Sequence, residues 1–123
     1  MFNDAKGTEF KKIYILCGYT DMRQGINGLS DMVMYQYHLN VFDKGTLFLF
    51  CGKRRSTCKA LLWEGDGFVL LTKRLGNGHF QWPRRPEEMK NLTPDEFRNL
   101  MKGFTIDSSI KEMNPGSYDS FDF

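Results

Sequence analysis

The sequence predicts an α+β domain: an antiparallel β-sheet of about four to five strands built from hairpins, one helix after the first strand and one C-terminal helix. Three observations lead there. Apolar runs of strand length recur through the first two thirds of the chain, at Lys12-Ile13-Tyr14-Ile15-Leu16-Cys17, Thr46-Leu47-Phe48-Leu49-Phe50-Cys51 and on both sides of Gly65. Gly65-Asp66 and Asn77-Gly78 stand between such runs as two-residue turns. In two other places the apolar spacing lengthens to three and four, the period of a helix.

Taken in order, residues 12 to 17 form the first strand, and Gly18-Tyr19-Thr20-Asp21 is a turn whose last residues suit a helix start. Met22, Ile26, Leu29, Val33 and Tyr37 then share one face of an amphipathic helix. Gly25 and Gly28 each weaken that helix by about 1 kcal/mol relative to Ala, which points to close backbone packing. Val41-Phe42-Asp43-Lys44-Gly45 turns the chain into the second strand at Thr46. A Gly65-Asp66 turn sets Trp63 opposite Phe68, Leu61 opposite Leu70 and Lys59 opposite Thr72. An Asn77-Gly78 turn sets Leu75 opposite Phe80, Arg74 opposite Gln81 and Lys73 opposite Trp82, where a cation–π contact would follow.

Because side chains alternate across a sheet, Ala60, Leu62, Val69, Leu71, Leu75, Phe80 and Trp82 gather on one apolar face. Trp82 is therefore read as core rather than as a base-stacking residue. The other face is apolar near the Gly65 turn and polar at its far end, where Thr57, Lys59, Thr72, Arg74, His79 and Gln81 collect beside Lys53-Arg54-Arg55. Further on, Thr93-Pro94-Asp95-Glu96 has a capping Thr, a first-turn Pro and a Glu three residues after the cap. Phe97, Leu100, Met101 and Phe104 form that helix's apolar stripe, with Gly103 near its end. Residues 1–107 are expected to make one domain, and residues 108–123 an acidic, flexible tail. That tail is also a potential intramolecular competitor for the basic face.

Charge is unevenly spread. Residues 53 to 85 carry eight basic residues (Lys53, Arg54, Arg55, Lys59, Lys73, Arg74, Arg84, Arg85) against Glu64 and Asp66, a net of +6 in a chain whose formal charge is +2. Such concentration points to a polyanion, most simply nucleic acid. Phosphate contacts are expected from Lys53, Arg54, Arg55, Lys59, Arg74, Arg84 and Arg85, with His79 and Gln81 as hydrogen-bonding partners. A solvated sheet face would explain the same residues.

Several chemistries find little support. The segment from Gly18 to Gly28 matches neither the dinucleotide fingerprint nor the P-loop. His38 and His79 are the only histidines, and Cys17, Cys51 and Cys58 lack the close pairing of zinc ligands, so buried thiols and no metal or cofactor are expected. An enzymatic reading would centre on Asp21, Glu64 and Asp66. No apolar run has the length of a membrane span and the polar start is unlike a signal peptide, so a cytoplasmic protein is expected.

The stretches Ile13 to Leu29, Phe48 to Arg55, Lys59 to Phe68, Lys73-Arg74-Leu75 and Phe80-Gln81-Trp82-Pro83 together resemble the TnpB accessory-protein family of the insertion sequence sixty-six (IS66) elements, over roughly residues 13 to 107. Gln24 stands where that family's pattern has a basic residue, and Glu64 where it has Asp. The resemblance implies a non-catalytic accessory factor for DNA transposition, encoded beside a separate transposase. Its expected partners are DNA, at element ends or without sequence preference, and that transposase. A pure adaptor for the transposase, with no direct DNA binding, is the alternative.

Overall fold

The computed structural model describes residues 10–83 and 89–102, with no side-chain description for Met89 and Lys90. Five strands form one sheet: β1 (Lys12–Leu16), β2 (Thr46–Cys51), β3 (Thr57–Trp63), β4 (Phe68–Arg74) and β5 (Met89–Asn91), in the order β4-β3-β2-β1-β5. Helix α1 (Ile26–Asp31) runs directly into a π-helical turn (Met32–Gln36), and α2 (Pro94–Met101) follows β5. The α+β class, the helix after the first strand and the helix near the C-terminus are as the sequence predicts.

β2 is buried at all six positions. It lies in the middle of the sheet, and its alternating side chains feed two cores. Leu47, Leu49 and Cys51 pack with Ile13, Ile15, Ala60, Phe80, Trp82 and the α2 residues Phe97, Leu100 and Met101. Phe48 and Phe50 pack with Leu16, Leu29, Val33, Val41 and Leu61 beneath α1 and the π-helical turn. A strand buried on both faces reads as a continuous apolar run, as Thr46 to Cys51 does.

One pair departs from an antiparallel sheet: β1 lies parallel to β2, Lys12 opposite Thr46 and Ile15 opposite Leu49. The physical reason is the long helical crossover between them, which returns the chain to the end of the sheet where it began. The β3–β4 hairpin has the expected register, with Trp63 opposite Phe68, Leu61 opposite Leu70 and Lys59 opposite Thr72. Gly65 adopts a φ of 101°, which the first loop position of this turn requires and few other residues tolerate.

The second expected hairpin does not form. Residues 75–83 carry no strand, and the fifth strand, Met89–Asn91, pairs with β1 instead. The residues that a hairpin would have used are held elsewhere. Phe80 N donates to Arg55 O at 2.7 Å, Gly18 N donates to Pro83 O at 2.7 Å, and the Trp82 indole donates to Leu16 O at 2.7 Å. The pairings of Arg74 with Gln81 and Lys73 with Trp82 lapse with the hairpin. Trp82 is nevertheless buried core, as its place on the apolar face predicts.

The first helix is shorter than its apolar period suggests. Its cap is Gly25 rather than Asp21, and a Cβ on Gly25 would meet nothing within 4 Å, so close packing is not why that glycine is there. A Cβ on Gly28 would lie 2.5 Å from Gln24 Oε1, so its nearest obstacle is the end of a flexible side chain. Gly103, Phe104, the rest of the domain to residue 107 and the acidic segment 108–123 lie outside the described residues.

Candidate nucleic-acid interface

The β2–β3 connection, Gly52-Lys53-Arg54-Arg55-Ser56, is where the basic cluster meets the rest of the fold. Cys51 pairs with Cys58 at the end of the ladder, and Gly52 N donates to Thr57 O. Arg55 N then closes a turn onto Gly52 O at 2.9 Å, with Arg55 itself at φ 60°, a left-handed conformation that costs a non-glycine residue about 1 kcal/mol. The loop tolerates this because it is held from outside. Phe80 N donates to Arg55 O, Leu75 N donates to Ser56 O at 2.8 Å, and Thr20 N donates to Cys51 O at 2.8 Å. His79 Nδ1 lies 2.9 Å from Arg54 O. A carbonyl oxygen only accepts, so Nδ1 carries the proton in that contact.

A cleft of about 390 Å³ opens against this loop, lined by Thr20, Asp21, Met22, Gly52, Lys53, Arg54, Arg55, Ser56, Thr57 and Arg74. Gly52 matters sterically here, since a Cβ at that position would lie 2.6 Å from Met22 Cγ. The missing side chain lets the 20–22 turn close one wall of the cleft. Four of the lining residues are cationic and one, Asp21, is acidic.

Arg23 already meets the acid's charge. Its Nε donates to Asp21 Oδ1 at 3.0 Å, its Nη2 to Oδ2 at 2.8 Å, and its backbone N to Oδ1 at 3.0 Å. Those hydrogen bonds to Arg23 lower the Asp21 carboxyl from 3.8 to about 2. The carboxylate therefore stays charged and ion-paired at neutral pH. The cleft keeps an excess of positive charge, with Lys53 and Arg54 exposed and Arg55 half-buried.

Of the residues expected to contact nucleic acid, Lys53, Arg54, Arg55 and Arg74 converge on this cleft, and His79 braces its loop from behind. Gln81 is exposed on the neighbouring segment but is not part of the lining. Lys59 has a different job: its ammonium donates to Met22 O at 2.7 Å and Gln24 O at 3.0 Å, fastening the 22–24 turn to the sheet. Arg84 and Arg85 lie outside the described residues. Thr20 and Ser56 join the site unannounced by sequence, because nothing in their local spacing signals that the turn after β1 and the loop after β2 meet.

Asp21, Glu64 and Asp66 do not meet. Asp21 lies at the cleft, while Glu64 and Asp66 lie beyond the opposite end of the seven-residue β3, roughly 20 Å away at strand rise. The cysteines are buried and unbridged, and burial raises the Cys51 thiol to about 12 and the Cys58 thiol above its usual value. Among the described residues no cluster of His, Cys, Asp or Glu could hold a metal ion, and no helix is long and apolar enough to cross a membrane.

Comparison with known proteins gives this arrangement a family. Two proteins of Sinorhizobium fredii, the uncharacterized protein y4hO and the uncharacterized protein y4jC, are 36% and 30% identical to this chain over 92 residues each. Those alignments cover 75% of this chain and 79% and 78% of the relatives. No solved structure matches. The family described as IS66 Orf2 like protein matches residues 11–111, which takes in the whole sheet, both helices and the basic cleft, and the chain belongs to that family, the TnpB accessory proteins of IS66 elements.

Proposed function

We propose that this protein serves IS66 transposition as a non-catalytic factor that binds DNA phosphates in the cleft at the β2–β3 loop and thereby links DNA to the transposase of the element. The family implies the transposition accessory role and an association with that transposase. The observation that carries the DNA reading is the convergence of Lys53, Arg54, Arg55 and Arg74 on one cleft whose backbone is already fixed by four outside contacts. A loop whose backbone is ordered before binding is spared that part of the entropy cost on meeting a phosphate chain. Phosphate contacts position a protein without reading bases, so an address on the DNA would come from the transposase.

The test is a titration of labelled element-end duplex and shuffled duplex, read by fluorescence anisotropy at two salt concentrations. The wild type binds both duplexes with salt-sensitive affinity. Replacing Lys53, Arg54 and Arg55 by Ala weakens binding to both by about ten-fold or more and flattens the salt dependence. Unchanged affinity and slope in the triple variant would sink the proposal. Retention of the transposase after nuclease treatment, by a protein that binds no DNA, would establish the adaptor in its place.

A further inference from the structure

β4 is an edge strand of unusual composition. Among the described residues it pairs with β3 alone, and its first four residues, Phe68, Val69, Leu70 and Leu71, are all half-buried rather than covered. An apolar edge of this length with open backbone groups is a template for another strand.

The phase of the hairpin says which groups are open. Glu64 N donates to Gly67 O at 2.9 Å, so Glu64 and Gly67 form a hydrogen-bonded pair. Bonded and non-bonded pairs alternate from there. Val69 and Leu71 therefore spend their backbone groups on β3, and Phe68, Leu70 and Thr72 point theirs away from the sheet.

We infer that β4 pairs antiparallel with β4 of a second copy of this chain, about a two-fold axis at Leu70, to make one continuous sheet. The symmetry constrains the register. A two-fold relating antiparallel neighbours stands perpendicular to the sheet, so one residue must face itself. With Leu70 there, Leu70 pairs with Leu70, and Phe68 pairs with Thr72 in both directions. All three residues carry outward backbone groups, so about six hydrogen bonds form. Val69 faces Leu71 twice on one side of the sheet, burying the half-exposed aliphatic run.

Charge selects this occupant. Beyond the end of the ladder, the same arrangement brings Asp66, exposed in the hairpin turn, close to Arg74 of the second copy, and the reverse. One end of β4 is acidic and the other basic, so the edge is complementary to itself when inverted. Because the axis is perpendicular to the sheet, both clefts open on the same face. Their Arg74 residues lie about 27 Å apart, eight residues of strand rise.

The decisive measurement is sedimentation equilibrium of the full chain without DNA, so its outcome does not depend on DNA binding. A dimer is expected at protein concentrations on the order of 100 μM, and a monomer there would overturn the inference. Thr72→Pro removes an outward N–H from an exposed edge position while leaving the side facing β3 intact, and is expected to weaken the dimer about ten-fold or more. If that variant does not fold by circular dichroism, Asp66→Lys takes its place. It sets like charges opposite each other, and pairing with Arg74→Glu should restore the dimer. A dimer indifferent to these changes uses another surface, and the inference fails.

Discussion

Lysine 59 and aspartate 21 show how little a residue's type says about its task. Lys59 sits in the basic segment and has the charge for a phosphate contact, yet two carbonyls of the 22–24 turn accept its protons. Lys59→Met keeps the aliphatic stem and strands those carbonyls. It should cost roughly 2 kcal/mol in urea denaturation, since hydrogen bonds to a charged group are worth about 1.5 to 3 kcal/mol, while the salt dependence of DNA binding changes little. A flattened salt dependence in a fully stable Lys59→Met protein would put Lys59 back among the phosphate contacts. Asp21 is the reverse case, an acid tolerated inside a cationic cleft because Arg23 holds it. Its folded pKa is lowered below 3.8 to about 2, so this interaction contributes stability above pH 3.8 and loses it as pH falls through about 2. In a carboxyl NMR titration Arg23→Ala should return the Asp21 midpoint toward 3.8, because the hydrogen bonds from Arg23 are the leading cause of the shift. A midpoint that stays near 2 would assign the shift to another source.

Elements whose signals are local were legible in the sequence, and those decided by distant partners were not. α2 begins where its residues say it should. Thr93 accepts from Glu96 N at 3.1 Å, Glu96 Oε1 accepts from Thr93 N at 3.0 Å, and Pro94 opens the first turn. Thr93→Ala should therefore destabilise the protein by about 1 kcal/mol in chemical denaturation, and Thr93→Ser by much less. Equal losses in the two variants would mean that the threonine methyl, not its hydroxyl, matters there. The β3–β4 turn was legible for the same reason, its geometry set by Gly65 and its immediate neighbours. The start of α1 was not. Lys59 from β3 donates to the Met22 and Gln24 carbonyls and ties the 22–24 turn to the sheet, and the first backbone bond of the helix runs from Leu29 N to Gly25 O. Likewise Asn77-Gly78 has the composition of a hairpin turn and Gly78 a φ of 79°, but Arg55, Gly18 and Leu16 claim the residues that follow. The basic segment was visible as charge, whereas the cleft was not, because Thr20 and Ser56 come together only through the parallel pairing of β1 with β2.

At the scale of the molecule the sheet has two unlike ends. Lys53, Arg54, Arg55 and Arg74 crowd one end of β3 and β4, and Phe42, Trp63 and Phe68 pack at the other in edge-on and tilted contacts with ring centroids 4.8 to 5.4 Å apart. A formal charge of +2 would give no reason to expect DNA binding, but a phosphate chain feels the cleft rather than the total, because salt screens charges beyond about 10 Å at 0.1 M. The number of phosphates engaged can then be counted from outside. The logarithm of the binding constant falls with the logarithm of salt at about 0.9 per neutralised phosphate on duplex DNA. Four cationic side chains in one cleft predict a slope of about −3.6, and the variant lacking Lys53, Arg54 and Arg55 should fall to about −0.9. If two copies join through β4 and one duplex reaches both clefts, the slope of the assembled protein doubles to about −7, while Thr72→Pro returns it to the single-cleft value. Anisotropy titrations across a five-fold range of salt distinguish these outcomes. A slope near zero in the wild type would remove DNA from the partners of this cleft and leave its four cations facing an acidic surface of the transposase.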